Sequence, residues 1–279
     1  DVFAIAAGTG AITVGDNTDL DFESDESYDL VVAATDGTAA DSETITITIT
    51  NVNDNSPTDM ALSAASAAEN AAAGTDIGTL STTDGDASGN SHVYTLVTDS
   101  GGATAYSGTA FALDSAVLEV GSSSGFDYET TTSYTVYVKV ADGSNTAYVE
   151  GFTISITDVN DEDPVWVTAA SQSVAENVRN VATLSVTDGD AADSNTATYA
   201  ITTNDNSLFE IDSSTLRFVA ATGANFEAPG CGSSSNSCTV IVRATDANSN
   251  TADRTFTISI TDEAVVVTDT SASLAENAA

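Results

Sequence analysis

Oxygen donors crowd together in several short motifs of this chain, and each motif recurs. Asp84 and Asp86 stand in TDGDASGN with Asn90, and Asp188 and Asp190 stand in TDGDAADSN with Asn195. LDFE holds Asp21 and Glu23, FDYE holds Asp127 and Glu129, and Ala-Glu-Asn carries Glu69 and then Glu176. After the alternating run TISIT, Asp158, Asp161, Glu162 and Asp163 surround Asn160 and end at Pro164. Asp-x-Asp or Asp-x-Glu spacing lets two carboxylates converge on one ion. A site of about six to eight oxygens is what calcium prefers, whereas magnesium wants fewer protein oxygens and more retained water.

Other chemistry lacks its parts. Nucleophilic catalysis needs a base beside the nucleophile, but the chain has one histidine, no Gly-x-Ser-x-Gly elbow and no phosphate-cradling glycine loop. Paired carboxylates could hydrolyse glycosides, yet every strong pair already belongs to one of the recurring motifs, so no enzyme is expected. Cys231 and Cys238 in CGSSSNSC suit a small disulfide-closed loop, worth about 2–3 kcal/mol, in an oxidising compartment. Two free thiols are the alternative. A zinc site is disfavoured, because His92 is distant in sequence and there is no third cysteine. His92 reads as a turn or edge residue and Trp166 as core or edge packing. Scattered acids such as Asp41, Asp59 and Glu150 read as solvated surface charge.

Composition narrows the partners. With 42 acidic and 5 basic residues, a formal charge of −37, nothing here neutralises phosphate, which excludes nucleic acid and direct contact with anionic membranes. A hydrophobic share of 41% is too high for a disordered acidic tail. No apolar run approaches the ~18 residues of a membrane span, and the N-terminus does not read as a signal peptide.

The elements that must position these acids come from a repeat. SETITITITNVNDNSP ends at Pro57 and GFTISITDVNDEDP at Pro164, and the same spacing of 107 separates Glu69 from Glu176. The Asp-Gly-Asp loops recur in phase, as do LDFESDESYDLVVAATDG and FDYETTTSYTVYVKVADG. Residues 56–162 and 163–263 read as complete units, 1–55 as the second half of one, and 264–279 as the first strand of another. Each complete unit has about seven short alternating runs broken by Gly, Asp, Asn and Ser turns. The expectation is all-β: a tandem row of Greek-key, immunoglobulin-like sandwiches, a window of a longer protein.

In this order and spacing, AEN, DGD…N, DYE, VADG and DVNDEDP resemble the calcium signature of cadherin repeats, over essentially the whole chain. The resemblance implies about three calcium ions per complete junction, held by both neighbouring repeats. The junction between the complete units would use Glu69, Asp127, Glu129, Asn160 and Asp161 from above. From below it would use Asp188, Asp190, Asn195 and Asp246, with carbonyls near Val159 and Glu162. The preceding junction would use Asp21, Glu23, Asn53, Asp54 and Asn55, then Asp84, Asp86, Asn90 and Asp142. The last seam, SITDEAVV, keeps Glu176, Glu227 and Asp262 but lacks the Asn-Asp pair and the proline, and Asn225 replaces Asp. Fewer ions, a more flexible joint or a different contact is expected there.

Two carboxylates ~5 Å apart repel by about 3 kcal/mol at an effective dielectric of ~20. Divalent ions would remove that repulsion and tie two domains to one cluster. The reading is a calcium-stiffened extracellular rod at a cell surface, with weak single-site affinity of about 10⁻⁴–10⁻³ M. As function, a structural surface filament leads, a stalk of a calcium-dependent adhesin is the alternative, and an accessory module of a secreted enzyme is a third. Partners would be copies of itself or a surface ligand. Strand donation by VVVTDTSASLAEN to another copy leaves that sandwich incomplete, so a continuous longer chain fits better. Low Lys and Arg content and Ala/Thr/Ser/Asp/Gly-rich repeats suit a prokaryotic source better than an animal one.

Overall fold

The computed structural model describes residues 1–86, 91–122, 125–143, 145–190, 196–232 and 235–264. Asn90, Asn195 and the expected strand beyond residue 264 lie outside the described residues. Two compact units make up the chain, Asp1–Thr157 and Asp158–Ala279.

In the first unit, β1 (Phe3–Ile5) pairs with β2 (Ile12–Val14), and β3 (Ser27–Thr35) pairs with β4 (Ala40–Thr48). The strands that follow are β5 (Asp59–Leu62), β6 (Ser66–Ala68), β7 (Asp76–Thr83) and β8 (Val93–Val97). β9 (Phe111–Asp114), β10 (Val117–Val120), β11 (Ser133–Ala141) and β12 (Tyr148–Thr157) complete them. Two four-stranded sheets result, in the orders β5-β7-β10-β9 and β6-β12-β11-β8. The first expected strand is therefore two strands, one in each sheet. Their connection crosses so close to β7 that a Cβ on Gly78 would meet the Ala64 carbonyl at 2.4 Å, which leaves room only for glycine.

Alternation fills the space between the sheets. Val136, Val138 and Val140 of β11 and Ile154 and Ile156 of β12 are buried, while their odd-numbered neighbours face outward. Burying a Val or Ile fully is worth about 1.5–3 kcal/mol. Phe111, Phe126 and Leu118 complete this core, with the Phe111 and Phe126 rings 5.5 Å apart.

The second unit repeats the plan. Its strands are β13 (Val165–Trp166), β14 (Ser171–Ala175), β15 (Asn180–Thr183), β16 (Val186–Thr187) and β17 (Thr198–Asn204). β18 (Phe209–Asp212), β19 (Thr215–Phe218), β20 (Ser237–Thr245) and β21 (Thr251–Thr261) follow. β14-β21-β20-β17 form one sheet, opposed by β15-β19-β18 and by the pair β13-β16. As β6 does with β12, β14 runs parallel to the last strand of its repeat. The Cys231–Cys238 disulfide closes the loop ahead of β20, with Cα atoms 5.1 Å apart. Trp166 is a core residue: its indole N–H donates to the Ala252 carbonyl at 3.1 Å, and its ring packs on Tyr199 and Phe256.

Candidate metal seams

Among the described residues, the buried charged or polar side chains are Glu69, Asp86, Asp142, Glu176, Asp190 and Asp246. All six are seam positions. Acids rarely go under unless something pairs with them, and the basic side chains are employed elsewhere. Arg179 and Arg217 reach Glu210, Arg243 pairs with Asp253, Arg254 donates to the Thr168 carbonyl, and Lys139 to that of Gly102.

The first seam lies wholly within the first unit. Carboxylate oxygens of Glu23, Asp54 and Asp86 lie within 4.8 Å of one another, and so do those of Asp84, Asp86 and Asp142. Asp86 belongs to both triads. The linker is wrapped around it: the Asp54 and Asn55 backbone N–H groups donate to Asp86 at 3.3 and 3.2 Å, and the Asn55 amide donates at 3.2 Å. Burial opposes ionisation of Asp86, but these hydrogen bonds outweigh it and hold the carboxyl below its ordinary pKa. Asp142 Oδ1 is buried and has no hydrogen-bond partner. Asp21 turns back on its own loop, accepting from the Glu23 N–H at 3.0 Å and the Ser24 hydroxyl at 2.8 Å; the Ser24 bond is the chief cause of its lowered pKa.

Asn145 was missed by sequence reasoning. Its amide donates to Asn53 Oδ1, to the Asn55 carbonyl at 2.7 Å and to Asp142 Oδ2 at 3.0 Å, and the Asn53 amide donates to the Asp142 carbonyl at 3.1 Å. The turn after β11 thus grips the linker. The oxygen of Asn53, expected as a ligand, is held by this amide.

Residues expected at the second seam fall in both units, and each set is described on its own. In the first unit, Glu69 accepts from the Tyr128 N–H at 2.7 Å, in the Asp-x-Glu motif itself, and Asp127 accepts from the Thr130 N–H and hydroxyl, each at 2.9 Å. Glu129 is exposed. In the second unit, the Asp161 and Glu162 N–H groups donate to Asp190 at 3.4 and 3.1 Å, and the Asp190 N–H donates to Asp188 at 3.2 Å. The Asn250 amide donates to Asn160 Oδ1 and to Asp246 Oδ2, each at 2.8 Å, and the Asn248 amide donates to the Asn160 carbonyl at 2.6 Å. Asn250 thus repeats the grip of Asn145. Val159 is exposed.

At the last seam, Glu176, Glu227 and Asp262 bring carboxylate oxygens within 4.8 Å of one another. Glu176 accepts from the Phe226 and Glu263 N–H groups, each at 3.2 Å, and these bonds hold its pKa below the usual range. Asn225 occupies itself with the Glu227 N–H at 2.8 Å.

The donor set fits a hard divalent cation. Its carboxylates and amides offer oxygen, one buried carboxylate oxygen of Asp142 has no hydrogen-bond partner, and among the described residues no lysine or arginine pairs with the cluster, although His92 Nε2 lies 3.2 Å from Asp84 Oδ2. Glu23, Asp54, Asp84, Asp86 and Asp142 would hold ions at the first seam, and Glu176, Glu227 and Asp262 at the last.

No protein-family profile matches the chain. Human protocadherin Fat 1 is 29% identical over 224 residues, which cover 75% of this chain and 5% of that protein. Human protocadherin-1 is 34% identical over 184 residues, 62% of this chain and 16% of that protein. The Drosophila protocadherin-like wing polarity protein stan is 30% identical over 171 residues, 59% of this chain and 5% of that protein. The chain therefore spans between 5% and 16% of the length of these relatives. Among solved structures, EC1–3 of mouse protocadherin-24 superimposes with a TM-score of 0.63 at 20% identity, over 93% of this chain and 87% of that one. Extracellular cadherin domains 3–6 of protocadherin gamma B2 give 0.61 at 24% identity, over 94% and 62%. The fold is that of tandem cadherin-like sandwiches.

Proposed function

We propose that this chain is a run of cadherin repeats in the extracellular part of a larger cell-surface adhesion protein. Calcium, about three ions at each complete seam, ties one repeat to the next. The observation that carries the reading is Asp142, buried with Oδ1 unpartnered among Asp84 and Asp86 while no lysine or arginine approaches. Such a cluster needs a soluble cation to be stable. The second seam is assigned by its motifs: Glu69, Asp127, Glu129, Asn160 and Asp161 with Asp188, Asp190, Asn195 and Asp246. Repeat boundaries at 56–162 and 163–263 go with this assignment.

Adhesion takes precedence over the filament and the enzyme module, because the matched relatives are cadherin-type proteins and not enzymes. The partner is then a second copy or another surface protein. A prokaryotic source has no support from the relatives, which are human, mouse and fly proteins. The test is small-angle X-ray scattering of the whole chain, with calcium and then with a chelator, beside a calorimetric calcium titration. A well-defined maximum dimension that blurs on chelation, with several ions bound, supports the reading. Superimposable curves and no heat of binding would leave the acids as surface charge.

A further inference from the structure

The two complete repeats treat one sheet edge differently. In the first, β8 ends its sheet, but the chain after it folds back along that edge. Val97 bridges Ala105, the Thr98 N–H donates to the Thr104 carbonyl, and the Tyr106 N–H donates to the Leu96 carbonyl, both at 3.0 Å. The equivalent edge of the second repeat is β17, and only residues 205–208 separate it from β18. Among the described residues, the backbone of β17 bonds to β20 and to no other segment. The strand reads Thr-Tyr-Ala-Ile-Thr-Thr-Asn, with no charge, proline or glycine to discourage pairing. Its ladder to β20 shifts between Ile201 and Thr203, so Thr198–Ile201 is the regular run. Tyr199 and Ile201 pack on the core from this edge and are only partly buried there.

Charge marks the same sheet. The chain carries 42 acidic residues, yet β14, β17, β20 and β21 hold a single one, Asp253, and Arg243 pairs with it at 2.7 Å. Their outward side chains are otherwise mostly Ser and Thr: Ser171 and Ser173, Thr198 and Thr202, Ser237 and Thr239. Two chains of charge −37 repel wherever their carboxylates face each other. This sheet is a surface on which they meet without that repulsion.

We propose that the open edge of β17 pairs with β17 of a second copy of this chain, antiparallel and about a two-fold axis. The contact is isologous, and it joins the two four-stranded sheets into one. Opposed residues must share a face, so the outward Ala200 of one copy lies beside the outward row of the other, while Tyr199 and Ile201 gain cover on the inner face. An edge contact of this kind is small, so the dimer is weak and concentration-dependent. The inference rests on the reading that a copy of the chain is its partner, and it names the surface; it does not use the calcium seams.

Sedimentation velocity of the whole chain over a range of concentrations, with calcium present, tests it. A reversible dimer is expected, more populated at higher salt because screening relieves the residual repulsion. Ala200→Lys is the informative variant, since Ala200 is exposed and the unfolding midpoint should not change. If net charge alone governed association, this lysine would strengthen it. Where two β17 edges meet, the lysines of the two copies oppose each other, and the dimer should weaken about tenfold or more. Ala200→Glu should weaken it as well, and an equimolar mixture of the two variants should restore it. A chain that stays monomeric at every concentration overturns the proposal and leaves the edge to a strand from a different protein. A dimer that Ala200→Lys leaves unchanged or strengthens also overturns it, while self-association through another surface, and with it the adhesion reading, would stand. Absence of calcium binding by calorimetry, beside a dimer that responds to both variants, would sink the calcium reading and leave the β17 contact in place.

Discussion

The first and last seams begin from similar acids and differ in what surrounds them. At the first, NVNDN delivers two backbone N–H groups and one amide to Asp86, and Asn145 grips the same linker from the neighbouring turn. At the last, Glu176 and its partners form a triad, but the residues after Asp262 read Glu-Ala-Val-Val, with neither an Asn-Asp pair nor a proline. The backbone N–H of Glu263 turns back to Glu176. A carboxylate triad thus needs only Glu176 of Ala-Glu-Asn, Glu227 of Asn-Phe-Glu and Asp262 at the end of the last strand, whereas a linker fixed to the following Asp-x-Asp loop needs donors of its own. The difference predicts a cooperative multi-ion site at the first seam and a weaker one at the last.

Asp86→Asn should break this comparison most strongly, since Asp86 is shared by both triads of the first seam. Replacing an outer partner of a metal site costs about 10–100-fold in affinity, so loss of a shared ligand is expected at or beyond the upper end. Calorimetry should show the tightest calcium sites gone, with those of the last seam unchanged. Glu227→Gln should do the converse and leave the tight sites in place. Equal effects of the two substitutions would erase the distinction.

Asn145→Ala sharpens it further. That side chain orients Asp142 and the linker, and its removal should cost about tenfold in calcium affinity at the first seam. Asn250→Ala should cost a similar factor at the second, given the matching hydrogen bonds from Asn250 to Asn160 and Asp246. No effect on calcium in either variant would reduce both asparagines to turn formers.

Much of this was legible in the sequence for physical reasons. Strand alternation and the Asp-rich motifs are local, so the repeat, the sandwich and the acids at the seams could be read directly. What escaped depends on contacts across the fold. An asparagine in ADGSN or TDANSN looks like an ordinary turn residue, and nothing local says that Asn145 and Asn250 reach back about 90 residues to a linker. His92 meets Asp84 at 3.2 Å, a contact between residues eight apart that no local pattern announces. Burial also escaped. β3 and β11 alternate alike, yet Leu30 and Val32 are only partly buried where the equivalent Val136 and Val138 are fully buried, because a strand's apolar face is covered completely only where a second sheet lies opposite.

The smallest effect expected is on acid stability in the absence of calcium. Glu176 is held below its ordinary pKa by the Phe226 and Glu263 N–H groups, and Asp86 by donors from the linker against the opposing pull of burial. For a carboxyl whose folded pKa is depressed, the unfolded chain takes up the proton more readily. Its contribution is complete above the unfolded value and is lost as pH falls through the folded one. The window therefore opens near pH 4.5 for Glu176 and near 3.8 for Asp86, and extends downward. Denaturant midpoints measured from pH 7 to pH 3 with chelator present should hold steady and then fall below about pH 4.5. Glu176→Gln should flatten the earlier part of that fall in the second unit alone, whereas an unchanged profile would mean that the two N–H donors bind the neutral carboxyl as well as the ionised one.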